Sequence, residues 1–507
     1  MAITRGTGKT PTESHLASLA DRSFLDLWSY PNVFNDKRSA PNAQGQELCD
    51  LLVVCDPYVL VFSDKHIEWQ GDEGLPLSWT RWFKRAISHS VRQLRGARRW
   101  IEAYPDRIFI DPDCKEKLPV AIPPPDRRIV HGIVVAGGIR EASKRYFKGG
   151  IGSLALEGDL RGEQLILEGK SRPFTIGDID PAEPFVHIFD EASLDVVLSE
   201  LDTVIDLAQY LDKKAAMFRS GRFVLADGEE DLVAYYMTHL NSDEEHDFSR
   251  PDGKPWVGDD KFLIKPGTYG SMRTNPQYVA KKEADKKSYV WDRLINVFTT
   301  PMLEGTTVEL SEGSAELKDL EVGVRQMALV PRYMRRHMGE GILEMPEKQG
   351  DKDRYCRAFL PDPEKPERTN GFFVMTLAVP NPLPSGGYEQ YRNVRRLILQ
   401  TYAMHFLHEH RNLTGIVGIG LEPLRSGGGS EDLMYAEQFE WTAEQERDLE
   451  ADKERFDIAR PERVKWSRPS GNEWPEVEGL RVSMSPRNSL QPNRKARRAA
   501  KARARKK

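Results

Sequence analysis

Apolar and polar positions recur along the chain with periods that change from segment to segment, and each period names an element. Thr10-Pro11-Thr12-Glu13 offers a capping threonine, a proline at the first helical position and a glutamate in the capping-box place. Leu16, Leu19, Phe24, Leu27 and Trp28 then share one helical face, and the helix should stop before Pro31. A loop rich in Asn and Pro is expected to about Gln44. Leu51–Val54 and Val59–Phe62 are β-rich runs around Cys55-Asp56-Pro57-Tyr58, which reads as a hairpin. A long helix follows from Arg81 to about Tyr104. Strands are expected at Arg107–Ile110, Ile129–Val135 and Phe185–Phe189, and helices at about Leu194–Glu200 and Thr203–Met217. This alternation specifies an α/β domain over residues 1–220.

Residues 221–286 read as a helix and a polar connection, because the stretch from Asn241 carries Ser-Asp-Glu-Glu, Pro-Asp-Gly and Pro-Gly. A second α/β domain of unassigned fold is expected over 287–480. It includes a strand at Phe372–Val379, a helix at Tyr388–His408 and a strand at Ile416–Leu421, with an acidic helix beginning near 441. Residues 481–507 form a basic tail with the composition of a disordered segment.

Composition narrows the class. The chain is 39% hydrophobic and 30% charged, the balance of a soluble globular protein. No apolar run approaches the ~20 residues that span a bilayer, and the first residues lack the apolar core of a secretory signal. The four cysteines form no CxxC pair, which argues against a disulfide framework and a structural zinc cage. A cytoplasmic protein is expected, with no membrane partner. The net charge of −5 conceals an asymmetry, since nine Lys or Arg lie in Arg494–Lys507; without them the remainder carries −14. A basic tail on an acidic body is one way to hold a polyanion near a folded domain, and a merely solubilising end is the alternative.

The hairpin carries the candidate chemistry. Centred on its turn, cross-strand partners have numbers summing to about 113, so Asp50 falls opposite Ser63. Side chains alternate along a strand, and Lys65 then joins Asp50 and Ser63 on one face at the open end. A carboxylate that anchors Mg²⁺ beside a lysine suits phosphodiester hydrolysis.

Helix, acid at the start of a strand, hairpin, x-x-Lys at its end and a second helix together resemble the PD-(D/E)xK, restriction-endonuclease-like superfamily over about residues 10–136. The resemblance implies a mixed-sheet core with flanking helices and a Mg²⁺ (or Mn²⁺) ion. It makes Asp50 the metal-binding Asp, Lys65 the Lys, and Glu13 the glutamate often found on the preceding helix, with Glu47 a supplementary ligand. Ser63 stands where the family has an acid, and serine is a poor Mg²⁺ ligand. Asp64 is adjacent but should face the other side, unless a bulge re-aims it.

On the following helix Trp82, Phe83, Ala86, Ile87, Leu94, Ala97, Trp100 and Ile101 form an apolar stripe. Gln93 falls inside it, where an amide is costly without partners. It resembles the Gln that several families of the superfamily direct toward the active site; a core-edge amide bonded to backbone is the alternative. Arg81, Lys84, Arg85, Arg92, Arg95, Arg98 and Arg99 fall on the outer face. Lys84, Arg85, Arg92 and Arg95, with Arg494, Lys495, Arg497 and Arg498 of the tail, are candidate phosphate contacts, although a solvated charged face explains the helix equally. Trp69, Trp79, Trp82 and Trp100 lie near this region and suit core packing or base stacking.

Gly6-Thr7-Gly8-Lys9-Thr10 is not a phosphate loop, because Ile3 occupies the place of the first glycine. His405, His408 and His410 end a helix and suit its dipole better than a metal. The function expected is a metal-dependent endonuclease acting on DNA, with the second half supplying specificity, regulation or oligomerisation. A role in host defence rests on analogy. The alternatives are a non-catalytic nucleic-acid-binding or scaffold protein with a degenerate nuclease fold, and a ligand-gated effector.

Overall fold

Thr10 begins the first helix: its hydroxyl accepts from the Glu13 amide at 3.2 Å and opens α1 (Pro11–Phe24). The Glu13 carboxylate turns back to the Lys9 amide instead of that of Thr10, at 2.8 Å, so only half of a capping box forms. The computed structural model describes residues 2–37, 44–71, 74–167, 171–251, 254, 256–307, 317–361, 369–423, 429–458 and 472–477.

The expected loop before Gln44 contains a strand, β1 (Ser29–Asn35). Its neighbour β4 (Ile108–Phe109) pairs only with Phe34 and Asn35, so Pro31 sits where β1 is an edge and its missing N–H costs little. β2 (Gln46–Cys55) and β3 (Tyr58–His66) form the hairpin, longer than its apolar centre alone indicates. Pairing runs from Leu51 with Phe62 to Cys55 with Tyr58, a constant sum of 113.

The long helix starts earlier than Arg81. It consists of α2 (Leu75–Phe83), a π-helical turn at Lys84–Ser88, and α3 (His89–Ala103). β5 (Ile129–Gly137), α4 (Arg140–Phe147), β6 (Ala155–Arg161), β7 (Thr175–Asp178), β8 (Val186–Asp190), α5 (Glu191–Glu200), α6 (Val204–Arg219), β9 (Leu225–Ala226) and α7 (Glu229–Thr238) follow. The main sheet has the order β4-β1-β2-β3-β5-β8, antiparallel from β4 through β3 and parallel across β3, β5 and β8. β7-β6-β9 form a small second sheet. The chain is α/β with mixed sheets, and its first elements run helix, three antiparallel strands, helix, parallel strand.

The polar connection after Asn241 contains two helices, α8 (Thr268–Arg273) and α9 (Pro276–Asp285), the second capped by Asn275. Its turn-forming residues obscured them. α10 (Tyr289–Glu304), α11 (Leu317–Ala328) and α12 (Arg332–Gln349) precede β10 (Arg354–Phe359), β11 (Asn370–Leu377), α13 (Gly387–Glu409), β12 (Gly415–Leu421), β13 (Asp432–Glu437) and α14 (Ala443–Phe456). These strands form a third sheet in chain order, with only β11 and β12 parallel.

The second half packs at the turn end of the β2–β3 hairpin. The Trp28 indole donates to Glu321 Oε1 at 2.7 Å, and Arg325 lies 3.5 Å from Asp56 in the turn itself. One apolar core continues from α1 through Trp28 to Met327. The opposite, open end of the hairpin is where the candidate residues gather. Among the described residues no helix is long and apolar enough to cross a membrane.

Candidate functional site

Two faces meet at the end of β3. The Phe62 ring lies 6.3 Å from that of Phe24, so the even-numbered side chains of β3 look toward α1. Val61 is beside Gly132 in β5, where a Cβ would lie 3.6 Å from Leu94 of α3, so the odd-numbered ones look toward α3. β3 keeps one register with β5 through His66, so its alternation continues without a bulge. Ser63 is fully buried on the α3 side and its hydroxyl donates to Gln93 Oε1 at 3.2 Å. Asp64 turns the other way, toward Thr12 of α1.

Asp50 crosses between them: its Oδ2 accepts the Asp64 backbone N–H at 2.6 Å. Burial pushes the Asp50 carboxyl up to about 7; the Asp64 amide opposes the rise, and the charges of Glu47, Glu13 and Asp64 add to it. Burial likewise raises Asp64, against the Thr12 hydrogen bond and with a further upward push from Glu13. Lys65, half-buried, forms no ion pair with any described residue.

Glu13 and Glu47 are held by a residue first read as loop. Asn32, buried in β1, donates through Nδ2 to Glu13 at 2.9 Å and to Glu47 at 2.8 Å. It adopts a left-handed φ of 50°, which asparagine tolerates better than most residues. Lys9 completes the arrangement with an ion pair to Glu47 at 2.9 Å. Four carboxylates, Asp50, Asp64, Glu13 and Glu47, thus gather at this end of the sheet, and Lys9 pairs with one of them.

The structure brings Asp50 to Asp64, Ser63 to Gln93, and Glu13 to Glu47 through Asn32. It makes no hydrogen bond between Asp50 and Ser63, Lys65 or Gln93 among the described residues. Among those residues no group of three or more His, Cys, Asp and Glu side chains is placed to hold a metal ion. Asn32 and Lys9 escaped the sequence reading; the only signal was the polar side chain of Asn32 within a segment that alternates poorly.

Of the basic residues on the helix, Lys84, Arg85 and Arg92 are exposed and pair with no described acid. Arg95 does not face outward freely: it reaches Asp180 at 2.8 Å, and Arg98 binds Glu102 and the Val130 carbonyl. The π-turn between α2 and α3 shifts the helix phase and carries this part of the stripe toward the sheet. Trp79 and Trp82 are core residues, Trp100 is half-buried against Tyr104, and Trp69 packs on Phe174. Arg494, Lys495, Arg497 and Arg498 lie outside the described residues. His408 pairs with Glu446 at 3.4 Å, in keeping with a structural place at the end of α13.

No family model, curated protein or solved structure matches the chain.

Proposed function

We propose that the chain is a divalent-cation-dependent nuclease that hydrolyses phosphodiester bonds, of DNA in the first instance, at the open end of the β2–β3 hairpin. The observation that carries this reading is Asp50, a buried carboxylate anchored by the Asp64 amide and surrounded by further acids, beside the Ser63–Gln93 pair. The order helix α1, hairpin β2–β3 and helix that supports it is the one on which the PD-(D/E)xK resemblance rests, with β1 added where a loop was expected.

No three acids are grouped as a ready-made cage among the described residues, but Mg²⁺ needs only one or two carboxylates and fills its other positions with water and phosphate oxygens. Asp50 would be the principal ligand, with Glu13 and Glu47 supplementary and Asp64 only if its carboxylate turned to this face, and a cation would offset the burial and neighbouring negative charge that raise Asp50. A bound ion of this kind supplies polarisation of the phosphate and a water acidic enough to attack it. The chain's own residues position and neutralise. Lys65 offers a cation, unpaired among the described residues, to a phosphate oxygen or to developing charge. Ser63, by donating to the Gln93 carbonyl oxygen, leaves the Gln93 amide N–H groups to orient a water or phosphate.

A second reading, a nucleic-acid-binding protein that keeps the frame without catalysis, is favoured by Ser63 in the acidic place and by the Asp64 carboxylate on the opposite face. Incubation of the full chain with plasmid DNA and with RNA, in Mg²⁺, Mn²⁺ or EDTA, separates the two. Cleavage that needs the cation and is lost in Asp50→Ala and Lys65→Ala supports the nuclease. Binding without cleavage in any cation supports the scaffold.

A further inference from the structure

Past β3 the chain continues as Ile67-Glu68-Trp69, still bonded to the end of β5. The Ile67 amide donates to the Gly137 carbonyl at 3.1 Å and the Trp69 amide to that of Gly138 at 3.0 Å. The Trp82 indole holds the Ile67 carbonyl at 2.8 Å. Gly138 must be glycine here, because a Cβ would lie 2.2 Å from the Ile67 oxygen.

This fixed extension sets Trp69 on Phe174, with ring centroids 4.8 Å apart. Tyr146 lies 5.2 Å from Phe174 on another side, and Phe147 stands 4.9 Å from Tyr146. Phe174 is buried and Trp69 half-buried, whereas Tyr146 and Phe147 remain 42% and 44% exposed. A single exposed ring is ordinary, whereas this cluster of tilted and edge-on rings leaves two adjacent ones open to solvent beyond the buried Phe174. The last turn of α4 adds Arg145, and Lys148 follows it; both are exposed and pair with no described acid. Trp69 is four residues beyond Lys65, about 13 Å along an extended strand.

We propose that Tyr146 and Phe147, backed by Phe174 and Trp69 and flanked by Arg145 and Lys148, form a platform on which unpaired nucleobases stack. The substrate is then a single strand, or a strand splayed from a duplex, entering beside the Asp50 site. Flat rings with adjacent unpaired cations match a chain that alternates base faces and phosphates. A paired duplex buries those base faces and can use only the cations. The substrate assignment rests on the nuclease reading, while binding to the platform can be measured without it.

Fluorescence anisotropy of the full chain in EDTA, with labelled single-stranded DNA, RNA of the same sequence and the corresponding DNA duplex, tests this. Single strands should bind more tightly than duplex, and each ring lost in Tyr146→Ala or Phe147→Ala should weaken single-strand binding roughly tenfold. Tyr146→Leu keeps apolar volume against Phe174 but removes the flat face, so it should bind as poorly as the alanine variant while melting like wild type. Arg145→Ala with Lys148→Ala should weaken both strand forms and flatten the salt dependence. DNA and RNA arms distinguish the two sources of unpaired bases. Equal or tighter duplex binding, or affinity indifferent to both rings, overturns the platform even where the protein cleaves DNA. Ring-dependent single-strand binding without cleavage would keep the platform and remove the nuclease.

Discussion

The backbone N–H of Asp64 donates to Oδ2 of Asp50 at 2.6 Å across the open end of the hairpin. A side chain of one strand thereby takes up the backbone donor of the next, just beyond the last regular pair, Leu51 with Phe62. One carboxylate oxygen is committed to the fold. The amide lowers the pKa of Asp50 less than burial raises it, so the carboxyl is pushed up to about 7.

Asp50→Asn should therefore gain stability while losing activity. An amide oxygen still accepts the Asp64 N–H, but the charge is gone. The folded carboxyl is raised from 3.8 to about 7, so its stabilising contribution is complete below pH ~4 and is lost as pH rises through ~7. At pH 8 the wild-type protein carries a buried, ionised Asp50, and the variant should be more stable by up to about 4 kcal/mol, with the gap narrowed by pH 5 and closed only near pH ~4. Divalent-dependent cleavage should fall at least ~100-fold, the scale on which a metal-anchoring group acts. Thermal melts at both pH values check the first part; a gap that does not change with pH would show that Asp50 is not the titrating group.

Mg²⁺ should stabilise the wild-type chain at pH 8 and leave Asp50→Asn almost unmoved. A ligand that binds only the folded state at ten times its Kd adds about 1.4 kcal/mol. Because protons compete for the same carboxylate, the shift in Tm should shrink at pH 5.5. Equal shifts in the two proteins would place the ion elsewhere.

The Ser63–Gln93 contact should behave as a coupled pair. Gln93→Leu leaves a fully buried hydroxyl unsatisfied and should cost about 1–2 kcal/mol, whereas Ser63→Ala leaves a half-buried amide that water can reach and should cost under about 1 kcal/mol. The double variant should lose less than the sum of the two, which chemical denaturation of all four proteins measures. Strict additivity would mean that the contact contributes nothing. In activity, Gln93→Leu should lower kcat more than it raises KM if the amide orients a reacting group.

The hairpin register was legible because the turn residues fix its centre and every side chain follows from a period of two; the opposite facing of Ser63 and Asp64 came with it, whereas the full burial of Ser63 did not. The Ser63–Gln93 contact followed from an amide lodged in an apolar stripe. β1 was not legible, because Pro31 and Asn32 carry the local chemistry of a loop and become strand only through pairing with β2. Asn32 as the bridge between Glu13 and Glu47 was hidden for the same reason. The engagement of Arg95 by Asp180 depends on a π-turn and on a loop some eighty residues away, and no local period reports either.

The C-terminal charge gives the last prediction. Arg494–Lys507 holds nine cations and no acid, while the remainder of the chain carries −14 and on its own repels a polyanion. Phosphate contacts release counterions, so affinity that depends on them falls steeply with salt. Truncation after Pro492 should weaken binding to nucleic acid at low salt, flatten the salt dependence, and act equally on all sequences. Turnover at saturating substrate should persist, because every candidate catalytic residue lies at or before Gln93. Binding measured across a salt series for the full and shortened chains gives the slope directly. If the two slopes coincide, the tail does not meet nucleic acid and serves solubility or a protein partner instead; if turnover at saturation also falls, it acts on the site as well as on capture.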